Sequence, residues 1–217
     1  LQNRVILWTR VIPGDLLPRR IKVAWEVSTN DQFTQVVRKG QAFADPSADF
    51  TVKVDAKGLK PSHKYFYRFV AEDVSSCIGI TKTLPKGNVK QFRIGLASCS
   101  NFPQGYFNAY RDMASQDLDL VLHLGDYIYE YPDGEYANQE ALDRLNRHVR
   151  PTHEILTLND YRTRYGLYRT DKNLQAVHQR HPFICVWDDH ELTNDTWKTG
   201  AENHNKGEGD FLSRIRA

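Results

Sequence analysis

Asp126 and Tyr129 are the residues whose types and spacing most directly suggest chemistry. They follow an apolar segment, residues 118–122, that predicts a buried strand, and Gly125 stands just before the carboxylate. A carboxylate can bridge two cations because it has two oxygen atoms and a full negative charge. A phenol, with a pKa near ~10, is a weak ligand for most divalent ions, whereas trivalent iron would favour the phenolate. The pattern therefore predicts a metal centre after this strand.

Two further apolar segments, residues 92–97 and 183–187, also run into potential ligands. The candidate ligands at the three strand ends are Cys99 after the first, Asp126 and Tyr129 after the second, and Asp188, Asp189 and His190 after the third. A cysteine thiolate suits a transition metal rather than magnesium or calcium, whereas carboxylates suit harder ions. We predict a softer or highly charged metal near Cys99 and Tyr129 and a harder one near Asp189. Paired metals of this kind serve phosphoryl transfer.

Each of these residues also has a simpler explanation. A Gly-Asp pair after a strand is often only a turn, and an aromatic such as Tyr129 more often packs in a core. His190 alone would more often be a hydrogen-bonded polar residue, and we expect His123 in the core or in support of the ligands. The metal interpretation rests on the coincidence of three strand ends in one α/β unit. The choice between Asp188 and Asp189 stays open.

The composition is typical of an ordinary globular protein with one large or two small domains. The chain has 217 residues, of which 40% are hydrophobic and 26% charged. A net charge of +2, with scattered Lys and Arg, gives no signal for nucleic acid or a membrane surface. The three cysteines fit neither a zinc ribbon nor a redox pair, and we expect Cys77 and Cys185 to be structural, with Cys185 buried. The oligomeric state is left open.

The pattern of elements changes near residue 85. Residues 1–84 show short alternating strands, and Leu59-x-Pro61-x-x-x-Tyr65 resembles the tyrosine corner of fibronectin type III domains, with Trp25 as the buried core tryptophan. We therefore predict an all-β fibronectin type III-like sandwich over residues 1–84 and a linker over residues 85–90. Strands alternating with helical stretches then predict an α/β layer with a parallel sheet over residues 91–217.

The strand-end motifs resemble those of known phosphatases. Gly125-Asp126-x-x-Tyr129 is similar to the Gly-Asp-x-x-Tyr of purple acid phosphatases, in which the tyrosinate binds ferric iron. The wider match resembles the alkaline phosphatase D (PhoD-like) family of the calcineurin-like metallophosphoesterase superfamily. The stretches that carry it are residues 5–10, 97–101, 123–130, 160–165, 168–171 and 187–191. The resemblance covers nearly the whole chain, and the combination of motifs is highly specific.

The resemblance implies a secreted or periplasmic bacterial phosphatase that hydrolyses phosphate mono- and diesters by metal-bound hydroxide. It implies ferric iron (Fe3+) bound by Cys99 and Tyr129, and calcium (Ca2+) as the second cofactor. Asp126 would bridge the metals, and Asp189 would bind the second metal from the asparagine position of the superfamily's Gly-Asn-His motif. His190 matches the histidine of that motif and would act catalytically by steadying the phosphate.

Two departures from the family pattern affect the expected site. Cys99-Ser100-Asn101 replaces the usual Asp-x-His after the first strand, and the family's later Asp and His ligands have no counterpart before Ala217. We therefore expect the metallophosphoesterase-like layer to be truncated at its C-terminus and the fragment to be inactive by itself. The alternative is a non-catalytic wall- or carbohydrate-binding sandwich fused to a degenerate phosphatase domain.

Overall fold

The computed structural model describes residues 1–14 and 19–217. The chain divides into two compact units. The first contains Leu1–Phe92 and Gln179–Pro182, and the second contains Arg93–His178 and Phe183–Ala217. The chain thus has mixed α/β content, with all of its described α-helices in or largely in the second unit.

The first unit is built from antiparallel strands. Its strands are β1 (Arg4–Arg10), β2 (Ile21–Ser28), β3 (Val36–Ala44), β4 (Thr51–Lys57), β5 (Lys64–Ala71), β6 (Val74–Ser75) and β7 (Gly79–Lys82), with a 3₁₀ turn at Pro46–Ala48. β1 pairs with β4 in a two-stranded sheet. In the second sheet β2 lies between β3 and β5, and β6 and β7 both pair with β5. Local sequence patterns do not single out β3, β6 or β7.

Both antiparallel sheets contribute side chains to one apolar core. Leu7 of β1, Val23 of β2 and Tyr65 of β5 are all buried in it. The Tyr65 hydroxyl accepts a hydrogen bond from the Lys60 amide at 2.9 Å, as the tyrosine-corner motif predicts. The prediction of a buried Trp25 is wrong, because this side chain is only partly buried. Its indole ring packs at the margin of the core, where it covers Gly40 on the neighbouring strand.

The second unit combines short strands with helices. Its strands are β8 (Ile94–Ala97), β9 (Leu120–His123), β10 (Phe183–Cys185), β11 (Thr196–Trp197) and β12 (Gly200–Ala201). Its helices are α1 (Asn108–Ser115), α2 (Gln139–Leu145), α3 (Leu158–Tyr168), α4 (Lys172–Arg180) and α5 (Phe211–Ile215), with a 3₁₀ turn at Phe102–Gln104. α4 ends two residues into the segment assigned to the first unit. None of the helices in the described ranges is long and apolar enough to cross a membrane.

β8, β9 and β10 form the parallel sheet that the sequence predicts, with β9 in the centre. One face of the sheet is buried: Val121 of β9 is fully inaccessible and packs with aromatic side chains from the helices. On the other face Leu96 and Ile184 are 60% and 54% exposed. The prediction of a buried Cys185 is wrong, since this residue is exposed on edge strand β10. A parallel sheet delivers all of its strand ends to one edge.

Local sequence signals explain how the helices begin. Thr157 and Asp160 form a capping box at the start of α3, with Thr157 accepting from the Asp160 amide and Asp160 accepting from the Thr157 amide. α1 begins at Asn108. Tyr106 and Phe107 lie in the segment between the 3₁₀ turn and α1.

Candidate metal centre

The structure brings three predicted site residues into one group. Asp126, which follows β9, lies beside Asp189 and His190, which follow β10, with one potential ligand atom of each within 4.8 Å of the others. Asp126 and His190 are 7% and 8% exposed. Asp188 is exposed and is not part of this group, so the geometry favours Asp189 among the two aspartates.

The Asp126 carboxylate has an unsatisfied oxygen. Its Oδ2 accepts a hydrogen bond from the Tyr129 hydroxyl at 3.1 Å, whereas its buried Oδ1 has no hydrogen-bond partner among the residues that the structure describes. An ionised oxygen that is buried without a partner is costly, and a cation beside it would remove that cost. The residues present therefore fit a bound metal at Asp126.

The backbone before Asp126 is unusual. Asp126 has a φ of 55°, and Gly125 has a φ of 108°. A Cβ atom at Gly125 would lie 2.4 Å from the Asp188 Cβ and 2.6 Å from the Asp188 nitrogen. Only glycine allows the loop after β9 to approach the loop after β10 this closely. Left-handed conformations at residues other than glycine cluster at functional sites, where the surrounding structure holds them in place.

Tyr129 lies against the same carboxylate and is 4% exposed. Burial raises the pKa of the Tyr129 phenol, and the charges of Asp126 and Cys99 raise it further. A phenolate at this position therefore requires a compensating cation. Tyr129 could therefore act as a phenolate ligand only if a strongly charged metal lay beside it.

Cys99 lies next to this group but does not enter it. Its amide donates to the Gly125 carbonyl at 3.1 Å, and the next amide, that of Ser100, donates to the Asp126 carbonyl at 3.0 Å. Cys99 is exposed and has a left-handed backbone with a φ of 55°. Among the described residues, its sulfur is not part of the group of ligand atoms within 4.8 Å. The structure thus ties the Cys99 loop to the Asp126 loop through the backbone.

His190 is oriented by Glu130, which the sequence analysis did not single out. His190 Nδ1 lies 2.8 Å from Glu130 Oε2, and Glu130 is fully buried. The other oxygen of Glu130 accepts from the Asn194 amide at 2.7 Å and from the Thr193 hydroxyl at 3.3 Å. Because an ionised carboxylate only accepts hydrogen bonds, Nδ1 is the protonated nitrogen and Nε2 is the nitrogen that Glu130 does not engage. Burial lowers the pKa of His190, but Glu130 and the nearby aspartates outweigh this effect and raise it above its usual value.

Glu191 is a second buried glutamate that sequence reasoning missed. Its carboxylate accepts from the backbone amides of Asp126 at 3.0 Å and Asp188 at 2.7 Å, and also from the Tyr127 amide. Burial raises the pKa of Glu191, and the three backbone hydrogen bonds oppose that rise. One side chain thus ties the loop after β9 to the loop after β10. No local pattern shows that the glutamate after His190 is turned inward.

Arg164 and His123 support the same strand end from the core. The fully buried Arg164 donates to the Tyr129 carbonyl, and to the Pro151 carbonyl at 3.0 Å. His123 Nε2 lies 2.9 Å from the Tyr110 hydroxyl, which lies 2.6 Å from Ser100 Oγ. His123 therefore belongs to the core, as the sequence predicts, and is linked by hydrogen bonds to the loop that carries Cys99.

A parallel sheet whose strand ends carry carboxylates and an imidazole defines an α/β unit with a candidate metal centre. The profile described as PhoD-like phosphatase matches residues 94–217, and the profile of the N-terminal domain of PhoD-like phosphatases matches residues 1–85. The chain belongs to the PhoD-like phosphatase family.

A curated relative and a solved structure illustrate this relationship. Alkaline phosphatase D of Bacillus subtilis (strain 168) is 44% identical over 224 residues, which cover 100% of this chain and 38% of that protein. A solved structure of PhoD matches 99% of this chain with a TM-score of 0.88 and 40% identity. The match covers 41% of the chain in that structure. The chain thus spans about two fifths of the length of the relatives it matches.

Proposed function

We propose that the protein hydrolyses phosphate mono- and diesters with the help of bound metal ions. The observation that carries the proposal is the group formed by Asp126, Asp189 and His190, in which a buried carboxylate oxygen has no partner. Membership in the PhoD-like phosphatase family supports a phosphate ester as the substrate.

The donor set suggests which residues would hold each metal. Asp126 would bridge two cations, with Tyr129 and Cys99 on the side of ferric iron and Asp189 on the side of calcium. A thiolate and a phenolate favour iron, whereas carboxylate oxygens favour calcium. When bound, the cations would activate water as the nucleophile and neutralise charge on the phosphate oxygens.

His190 would act on the phosphate rather than only as a structural residue. Glu130 fixes the ring through Nδ1 at 2.8 Å, so Nε2 is left for another partner. A protonated Nε2 would donate a hydrogen bond to a phosphate oxygen, where negative charge develops in the transition state. The same arrangement would be of little use to a protein that only binds carbohydrate.

The finer properties of the protein follow from the family resemblance. We propose secretion or periplasmic location in a bacterium, and a fibronectin type III-like sandwich over residues 1–84 joined by residues 85–90 to the metallophosphoesterase domain, residues 91–217. The shared core of the two antiparallel sheets and the Tyr65 hydroxyl bond support the sandwich interpretation.

Hydrolysis of p-nitrophenyl phosphate and bis-p-nitrophenyl phosphate by the full-length protein tests the proposal. Loss of a residue that supports a metal ligand typically costs roughly 10- to 100-fold. Because Asp126 would be a ligand itself, we expect Asp126→Asn to lower kcat/KM by more than this. Asp188→Asn is the matched control, because this exposed side chain lies outside the group. Unchanged activity in Asp126→Asn would refute a metal-dependent hydrolase centred on Asp126. Absence of hydrolysis by the unmodified protein would favour the non-catalytic alternative.

A further inference from the structure

We propose that Tyr136, with Tyr131 beside it, forms a stacking surface for a flat ring carried on the ester oxygen of the substrate. This inference rests on the proposed phosphoester function and names the substrate class that the same site would prefer. It concerns the part of the substrate that leaves with the ester oxygen, not the phosphate itself.

The Tyr136 ring lies at the edge of the candidate centre. Its centroid is 5.6 Å from that of Tyr129 and 5.3 Å from that of Tyr131. It is also nearly parallel to the His190 ring, with a centroid distance of 6.4 Å and an angle of 20°. The ring therefore adjoins both the phenol that contacts Asp126 and the imidazole of the candidate catalytic residue.

Tyr136 differs from its neighbours in exposure. Tyr129 is 4% exposed, whereas Tyr136 is 58% exposed. An aromatic ring that served only to fill the core would be buried like Tyr129. A large, neutral, exposed ring next to a charged centre instead offers a surface that can bind a flat apolar group while the centre binds the phosphate.

The backbone of Tyr136 is held in place. Its φ is 45°, which is a left-handed conformation that tyrosine seldom adopts. Its carbonyl accepts hydrogen bonds from Asn101 Nδ2 at 2.8 Å and from Gln104 Nε2 at 2.9 Å. Asn101 is itself fixed by the buried Tyr168, whose hydroxyl donates to Asn101 Oδ1 at 2.9 Å.

These hydrogen bonds fix the backbone of Tyr136, and the adjoining rings of Tyr129 and His190 limit where its own ring can lie before a ligand arrives. Two side-chain amides that follow the Cys99 loop hold an uncommon backbone conformation, and the result is an exposed ring beside His190. A surface that is fixed in advance loses little conformational entropy on binding, so even a modest stacking energy contributes to affinity. The expected gain for a ring over a methyl group is about two- to tenfold.

The test compares phosphonates, which are not hydrolysed, by calorimetry with the full-length protein. Phenylphosphonate carries a flat aromatic ring, a glucosyl 1-C-phosphonate carries a puckered pyranose ring, and methylphosphonate carries no ring. We expect phenylphosphonate to bind about two- to tenfold more tightly than methylphosphonate. Tyr136→Phe should keep this preference for the aromatic ring, and Tyr136→Leu should remove it, so that phenylphosphonate and methylphosphonate then bind equally.

Two outcomes would overturn the inference. Either phenylphosphonate binds the unmodified protein no more tightly than the other two phosphonates, or its preference persists in Tyr136→Leu. If methylphosphonate does not bind and Asp126→Asn changes nothing, the proposed phosphoester function fails and the stacking proposal falls with it. Binding of methylphosphonate that depends on Asp126, without any ring preference, would retain the function and reject only the stacking surface.

Discussion

Glu191 Oε2 accepts the backbone amide of Asp126 at 3.0 Å, although the two residues are 65 positions apart in the chain. The same oxygen accepts the Asp188 amide at 2.7 Å. The distance between the two loops that carry Asp126 and Asp189 therefore depends on one buried carboxylate. This relationship makes Glu191 a positioning residue for the candidate metal centre.

Glu191→Gln should weaken metal binding by about 10- to 100-fold, as is typical for groups that orient metal ligands. The amide nitrogen of the glutamine would face backbone N–H groups that now donate to the carboxylate. Because two donors cannot bond to each other, the two loops would separate. Metal dissociation constants from competition with a chelator would measure the effect. Glu202→Gln is the control, because Glu202 is exposed. Equal metal affinity in both variants would contradict the positioning role.

Glu130→Gln should lower the pKa of His190. Burial alone lowers this pKa, and the Glu130 hydrogen bond and charge raise it. A histidine with a raised folded-state pKa stabilises the protein below its unfolded pKa and loses that contribution as the pH rises through the folded pKa. The variant should therefore lose stability mainly at low pH.

The measurement is an NMR titration of His190, together with urea unfolding at several pH values, in the metal-free protein. Glu135→Gln, which changes an exposed glutamate on the same segment, serves as the control. A His190 pKa that stays the same or rises in Glu130→Gln would show that Glu130 does not set the charge of this ring.

Much of the fold could be predicted from local patterns. The strands that place Asp126 and Asp189 are short apolar runs, and the start of α3 carries its own capping box. β3 was missed because it is an edge strand with mostly exposed residues and no clear alternation. Edge strands are stabilised by pairing with a neighbour, which a local pattern does not reveal.

The candidate site was predicted only in part, for a related reason. Strand ends show where ligands emerge, so the approach of Asp126 to Asp189 and His190 followed from the parallel sheet. The roles of Glu130 and Glu191 depend on backbone amides from distant positions, and charged residues are rarely buried unless such partners exist. Nothing in the local sequence distinguishes these two glutamates from exposed ones.

His123 should make the protein sensitive to acid. Burial lowers the pKa of His123 from 6.5 to about 4. The unfolded chain therefore takes up a proton at a higher pH than the folded chain, and stability falls as the pH drops from about 6.5 towards 4. Between pH 7.5 and 4.5, the free energy of unfolding of His123→Gln should fall by about 2 to 3 kcal/mol less than that of the unmodified chain.

Urea unfolding at the two pH values measures this difference. His63→Gln, which replaces an exposed histidine in the first unit, is the comparison variant. The same loss of stability in His123→Gln and in the unmodified chain would show that His123 does not stay neutral in the folded protein.

The 217-residue chain alone should bind iron weakly. In the part of the chain that the structure describes, one close group of potential ligands contains Asp126, Asp189 and His190, and His190 is assigned to the phosphate rather than to a metal. Tyr129 reaches this group through its hydrogen bond to Asp126. Metal affinity depends on the number of ligands and on how well they are supported. Iron analysis after dialysis should give much less than one iron per chain. A full, tightly held iron would contradict this expectation.

Any iron that binds should show visible absorption that depends on Tyr129. A phenolate bound to ferric iron should give a visible charge-transfer band, and Tyr129→Phe should remove that band. Tyr131→Phe is the control, since its ring lies beside His190 without contacting Asp126 through a hydrogen bond in the structure. An unchanged band in Tyr129→Phe would exclude Tyr129 as the iron ligand.

Metal dependence of hydrolysis by the full-length protein tests the central claim most directly. The protein would be stripped with a chelator, assayed with p-nitrophenyl phosphate, and assayed again after ferric iron and calcium are restored. We predict that activity is lost on stripping, returns with the metals, and does not return in Asp126→Asn. Full activity in a preparation shown by elemental analysis to be free of metal would contradict a metal centre at Asp126.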